Sequence, residues 1–299
     1  MAKKNGFIIA LSLCAVLLAG ALAGESPEGW IAFHSTRDGN REIYVMREDG
    51  ADLRRITDHP ANDRLVAWSP DGRSLAFESN REGNFEIYVI DTTTGETTRL
   101  THHHAEDSWA EWSPNGESIA FMSDRTGGFG IYTIRPDGTD LRRITPEGVE
   151  CSQPSFSPDG LRLAIGALID DSDDIWIIDL EGNFVQRVTE HPGVDWSPAW
   201  SPDGSMIAFT TNRLGRASIW VVNVDGTNLR CVVDLPGADE FPAWSADSSR
   251  IAFETDGAGG EEIYTIRIDG TDLQQITDNR ASDCCPAWWQ PKRGDQNSG

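Results

Sequence analysis

Apolar and polar positions along this chain alternate in runs of four to six residues, and the runs recur in a fixed order. Ile31-Ala32-Phe33 returns as Leu75-Ala76-Phe77, Ile119-Ala120-Phe121, Leu163-Ala164-Ile165, Ile207-Ala208-Phe209 and Ile251-Ala252-Phe253, always 44 residues on. An aromatic that usually leads into Ser-Pro-Asp-Gly keeps the same step through Trp68, Trp112, Phe156, Trp200, Trp244 and Trp288. So does a β-branched-aromatic pair starting at Ile43, Ile87, Ile131, Ile175, Ile219 and Ile263, and so does the unit-closing series Thr57, Thr101, Thr145, Thr189, Val233 and Thr277. Four landmarks in step over six units identify an internal repeat.

Each unit predicts four short strands. The first surrounds the Trp and ends in Ser-Pro-Asp-Gly, where Pro presets φ and Gly takes a positive φ. The second is Ile-Ala-Phe, and the third is Glu-Ile-Tyr-Val, rich in β-branched and aromatic residues. An Asp-Gly hairpin follows (Asp49-Gly50, Asp137-Gly138, Asp225-Gly226, Asp269-Gly270), then a fourth strand of the Leu-Arg-Arg-Ile-Thr kind. The inner strands lack a polar face. Their middle residue is Ala in all six units, and the residue before the aromatic is small in most (Ala67, Ser155, Ala199, Ala243, Ala287). Small residues opposite large ones suit sheets stacked face to face around a ring. Glu111, at the same position, does not fit this scheme.

The expected fold is therefore all-β: a six-bladed β-propeller of four-stranded blades over residues 28–291. The first unit starts at its second strand, and the chain ends with a spare first strand, Pro286-Ala287-Trp288-Trp289. Pairing that C-terminal strand with the N-terminal blade closes the ring. With repeats such as Trp200-Ser201-Pro202-Asp203-Gly204, the chain resembles the TolB-like propeller family. The resemblance implies a propeller alone, without the α/β domain that precedes the propeller in TolB. Because one propeller frame carries many activities, the likeness specifies fold more than function. Family relatives also include sugar-acid lyases and the non-catalytic part of serine peptidases.

The first 23 residues read differently. Lys3 and Lys4 precede an apolar run from Phe7 to Leu18, and Ala21-Leu22-Ala23 offers a signal-peptidase site, so residues 1–23 are expected to be a removed export signal. No later apolar run is long enough to span a membrane. Residues 292–299 form a polar tail. The formal charge is −23, and loss of the two signal lysines leaves −25. That balance argues against nucleic acid and anionic lipid as partners and favours cations or basic protein surfaces. Of the five cysteines, Cys14 lies in the signal; Cys151, Cys231, Cys284 and Cys285 remain, with no C-x-x-C pair.

Candidate chemistry gathers where the second-to-third-strand turns and the blade-to-blade loops share one face. Five residues before each aromatic stand Asp63, Asp107, Cys151, Asp195, Asp239 and Asp283. Such a ring would hold Ca²⁺ or receive a basic partner segment. The opposing reading has each Asp cap its own loop or pair with an arginine from a hairpin, and Arg37, Arg81, Arg125 and Arg213 recur six residues after the second-strand start. His102-His103-His104 is the densest histidine cluster. His59 and His191 repeat the position of His103 on other blades, too far apart to meet on one ion. Blade four departs most, with Ile169-Asp170-Asp171-Ser172-Asp173-Asp174 in place of the Arg-x-Gly turn.

These observations lead to the expectation of a non-enzymatic, exported, monomeric scaffold, periplasmic or secreted. Its acidic loop face would bind an envelope or secreted protein, and no cofactor is implied beyond Ca²⁺. Two alternatives stay open: a metal-dependent, lyase-like carbohydrate enzyme, and an accessory propeller for a separate hydrolase.

Overall fold

The computed structural model describes residues 29–257 and 259–289. The export signal and the polar tail expected from the sequence lie outside these residues. Six four-stranded antiparallel sheets follow one another in chain order, each with its strands in sequence order from the innermost outward. Blade one is the exception that closes the ring. Its innermost strand is the C-terminal segment Asp283–Trp289, paired with Trp30–Ser35 through Trp30↔Trp289, Ile31↔Trp288 and His34↔Cys284.

Six hydrophobic clusters correspond to the six blade-to-blade contacts. Ala67 and Ala76 of blade two lie against Trp112, Ile119 and Phe121 of blade three. At the seam, Ala252 and Ile263 of blade six meet Ile31, Phe33 and Met46 of blade one. Every second-strand alanine is fully buried beside an aliphatic or aromatic residue of the next blade, so the small-against-large pattern sets the blade spacing. Phe33, Phe77, Phe121, Phe209 and Phe253 are fully buried too, each contributing about 1.5–3 kcal/mol. The outermost strands are short, only Arg54–Arg55 in blade one and Arg142–Arg143 in blade three, which leaves a charged edge unsuited to further pairing.

The turns are as the residues demand. Gly72 has φ +69° and carries the Ser-Pro-Asp-Gly turn under Trp289, whose ring would stand 2.4 Å from any Cβ there. Trp68, Trp288 and Trp289 are only partly buried, unlike Trp112, Trp200 and Trp244.

One feature of all six innermost strands is not visible in the hydrophobic pattern. Leu65, Trp109, Gln153, Ser197, Phe241 and Cys285, again 44 residues apart, each take a positive φ of 50–58°. At each, the register with the second strand slips by one residue, a β-bulge. Left-handed backbone is unfavourable for such side chains, so the surrounding packing must impose it. Part of the compensation comes from the neighbouring blade. The bulged N–H donates to Glu78 at Trp109, to Thr210 Oγ1 at Phe241 (3.3 Å) and to Glu254 Oε2 at Cys285 (2.6 Å).

Candidate functional site

The five aspartates of the expected ring open their innermost strands, and all five are fully buried. Four are bound by a guanidinium from the same blade. Arg37 reaches Asp283 at 2.7 Å, Arg81 reaches Asp63 at 3.0 Å, Arg125 reaches Asp107 at 2.6 Å and Arg213 reaches Asp195 at 2.9 Å. Each arginine also lies over the second- and third-strand aromatics, as Arg213 does over Phe209 (5.3 Å) and Trp220 (4.8 Å). Asp239 has no such partner, because Gly257 stands where the arginine would be; it accepts the Leu235 N–H at 2.7 Å instead. Burial holds the carboxyls of Asp63, Asp107 and Asp239 above their usual range, against the pull of their donors. The expectation of an open acidic ring is therefore corrected. These carboxylates are not at the surface for a partner, and among the described residues they do not converge on a point where one cation would bind them together.

The histidines at 59, 103 and 191 are turn residues. His59 donates its N–H to Glu42 at 2.9 Å, and its Nδ1 accepts from the Ala61 N–H at 3.1 Å. His103 repeats this with Glu86 and Ala105, and His191 with Asp174 and Gly193. Each serves its own blade-to-blade loop. Cys151, buried among Phe156, Ile165 and Ala167, is pushed up to about 12 by desolvation and is no nucleophile at neutral pH. All four cysteines of the described residues are unbonded.

The bulges place a waist across the channel. Trp109 and Phe241, on opposite blades, come within 5.1 Å centroid to centroid and pack with Leu65, Cys284 and Cys285. Between this plug and the Ser-Pro-Asp-Gly turns lies a bowl of about 320 Å³, lined by innermost-strand residues of all six blades. Its lining is largely Trp, Ala and Pro. Glu111 is the one ionisable carboxyl on the wall, and desolvation alone pushes it up to about 8. The residue that did not fit the small-against-large scheme faces this bowl. A signal for the bulges was present: four of the six are followed by Pro (Pro154, Pro198, Pro242, Pro286), which inside a strand marks a bulge or an edge.

The opposite mouth is dominated by blade four. Its second and third strands, Arg162–Ile169 and Ser172–Asp179, have eight residues each, against five or six in the other blades. The span is no longer than in the other blades, but a two-residue turn carries the strand pairing up to its tip. Asp170 and Asp171 form its tip with φ of 53° and 60°. Glu150 pairs in register with Leu168 at the crest, and Leu168 is 46% exposed. Among the described residues Glu147, Glu150, Asp170, Asp171 and Asp173 make no ion pair, the nearby Arg187 being bound to Asp174 at 2.6 Å. Burial first, then repulsion from Asp174, Asp195 and Glu150, raises the Asp173 carboxyl above its ordinary range. An apolar ledge beneath uncompensated negative charge suits a cationic, partly apolar segment.

Residues 67–155 and 146–234 match the TolB beta propeller domain family, together more than half of the chain. None of the curated proteins matches the sequence. Among solved structures, TolB from Acinetobacter baumannii superposes with a TM-score of 0.78 at 19% identity, over 87% of this chain and 66% of that one. A putative TolB from Agrobacterium tumefaciens gives 0.70 at 22% identity, over 86% and 91%. An oligogalacturonate lyase in complex with manganese gives 0.56 at 16% identity, over 85% and 74%. At these identities the likeness concerns the fold.

Proposed function

Since this chain belongs to the TolB β-propeller family, we propose that it is an exported, non-enzymatic scaffold that docks a protein partner through the acidic crest of blade four. The observation that carries this reading is the crest itself: a hairpin paired up to a two-residue turn, two aspartates at its tip, three further carboxylates with no ion pair among the described residues, and an exposed Leu168. Rim charges of one sign chiefly speed encounter and select against like-charged partners, while the apolar ledge supplies affinity. The partner surface is accordingly basic with an apolar anchor. An envelope or secreted protein meets that description if the export signal is cleaved as the sequence suggests. The lyase-like alternative draws no support from the histidines at 59, 103 and 191, each committed to a separate turn.

The test is a triple variant, Asp170→Asn, Asp171→Asn and Asp173→Asn. Asn tolerates left-handed backbone nearly as well as Asp, so the hairpin should keep its shape. A control carries Glu96→Gln and Glu117→Gln at the other end of the propeller. Crosslinking in the producing cell's envelope should recover a basic partner with the wild type and the control, and lose it with the triple variant. A lysine-rich peptide probe should bind the wild type with an association rate that falls as salt rises. Equal recovery with all three proteins would overturn the proposal.

A further inference from the structure

Among the described residues the ring closes without a covalent link, and one side-chain cluster lies at that seam beside the plug. His34, on the N-terminal strand, and Cys284, on the C-terminal strand, are register partners across the seam. Ligand atoms of His34, Cys284 and Cys285 lie within 4.8 Å of one another, the two sulfurs at 2.9 Å. The three residues are 3%, 8% and 7% exposed. Nδ1 of His34 is enclosed and has no hydrogen-bond partner, an unusual state for a buried ring nitrogen. No other group of three His, Cys, Asp or Glu comes together in this way among the described residues. In the other blades the positions equivalent to His34 hold Glu78, Met122, Gly166, Thr210 and Glu254, so this donor set exists only where the two termini meet.

We propose that His34, Cys284 and Cys285 bind one thiophilic divalent cation of the zinc type, which clasps the N-terminal and C-terminal strands of blade one. Two sulfurs and an imidazole form the donor set that soft or borderline d¹⁰ ions prefer. Charge balance selects the divalent ion. Two thiolates, a neutral imidazole and M²⁺ sum to zero, which an enclosed site tolerates, whereas a monovalent ion would leave a buried negative charge. On binding, both S–H bonds break, two metal–sulfur bonds form and two protons leave to solvent. Zinc–sulfur bonds of about 2.3 Å at a tetrahedral angle put the sulfurs about 3.8 Å apart. Holding such an ion would open the pair by about 0.9 Å from its 2.9 Å separation. Glu254, accepting the Cys285 N–H at 2.6 Å, steadies the second cysteine, and Cys285 reaches the bowl, which supplies a path for the ion.

The experiment uses the full-length protein, reduced and freed of metal, with Zn²⁺ and Co²⁺ as probes. One equivalent of Zn²⁺ should bind and raise the melting temperature. Co²⁺ should give a thiolate-to-cobalt charge-transfer band in the near ultraviolet. Cys284→Ser and His34→Gln should lose at least tenfold in affinity, while Cys231→Ser, on an outermost strand, should bind normally. Should the seam variants fail to fold, the cobalt spectrum of the wild type decides alone. Absence of the thiolate band, or unchanged stoichiometry in Cys284→Ser, would overturn the proposal. So would a protein isolated from the exporting cell that is two hydrogens lighter and has only two titratable thiols, since that is a 284–285 disulfide.

Discussion

Removing Arg213 should expose how much a buried aspartate depends on its guanidinium partner. Its side chain is 6% exposed and that of Asp195 is 0%. One Nη donates to both carboxylate oxygens at 2.9 Å, Nε donates to Thr211 Oγ1 at 3.1 Å, and the guanidinium lies over Phe209 and Trp220. Arg213→Met keeps most of the volume and leaves the carboxylate enclosed without a countercharge. Breaking a buried pair from one side costs about 3–5 kcal/mol, because the stranded charge has lost its solvent and its partner. Adding Asp195→Asn removes that charge, and the double variant should return to within about 1–2 kcal/mol of wild type. The second substitution therefore recovers about 2–3 kcal/mol of what the first one loses. Asp239 supplies the internal comparison. Its blade has Gly257 in the arginine position, so Asp239→Asn breaks no ion pair and should cost about 1 kcal/mol or less. Urea unfolding of the four proteins at constant m-value measures all three quantities. The reasoning fails if Arg213→Met lies within about 1 kcal/mol of wild type, or if Asp239→Asn is as damaging as Arg213→Met.

Three further outcomes are expected. Glu111, pushed from 4.5 up to about 8 by burial, keeps its proton when folded and loses it when unfolded between those values. Stability should fall as pH rises through that window, by on the order of 2–4 kcal/mol once water in the bowl is allowed for, and Glu111→Gln should flatten this part of a denaturation-against-pH curve. Deleting residues 284–299 strips the innermost strand from blade one and opens the blade-six contact, so the cooperative melting transition should be lost. A melting curve like that of the intact chain would mean the ring does not need its seam. Ala120→Leu forces bulk against Phe156, Leu163 and Ile165 and should cost about 1–3 kcal/mol in the same urea assay, a neutral result meaning that blade spacing is not set by the alanines.

Much of this molecule is legible in its repeats. The 44-residue step, the Asp-Gly and Ser-Pro-Asp-Gly turns and the invariant second-strand Ala are local rules of strand and turn formation, each restated in successive units. They determine blade number, strand order and closure by the C-terminal strand, because each unit has apolar faces that only a neighbouring unit can cover. The recurrence of Arg37, Arg81, Arg125 and Arg213 even anticipated the aspartate pairs, since a fixed repeat position means a fixed place in the blade. What the repeat could not express is which side chains meet at the axis. There six innermost strands converge, and their contacts join residues 44 or more apart. Whether Asp63 and its equivalents form an open ring or lie buried under arginines depends on where the chain folds back. The left-handed bulges at Trp109 and Phe241, which plug the channel, are imposed by neighbouring blades against local preference. His34 and Cys284 are 250 positions apart in the chain and adjacent only because the ring closes; that adjacency is a property of the tertiary structure alone.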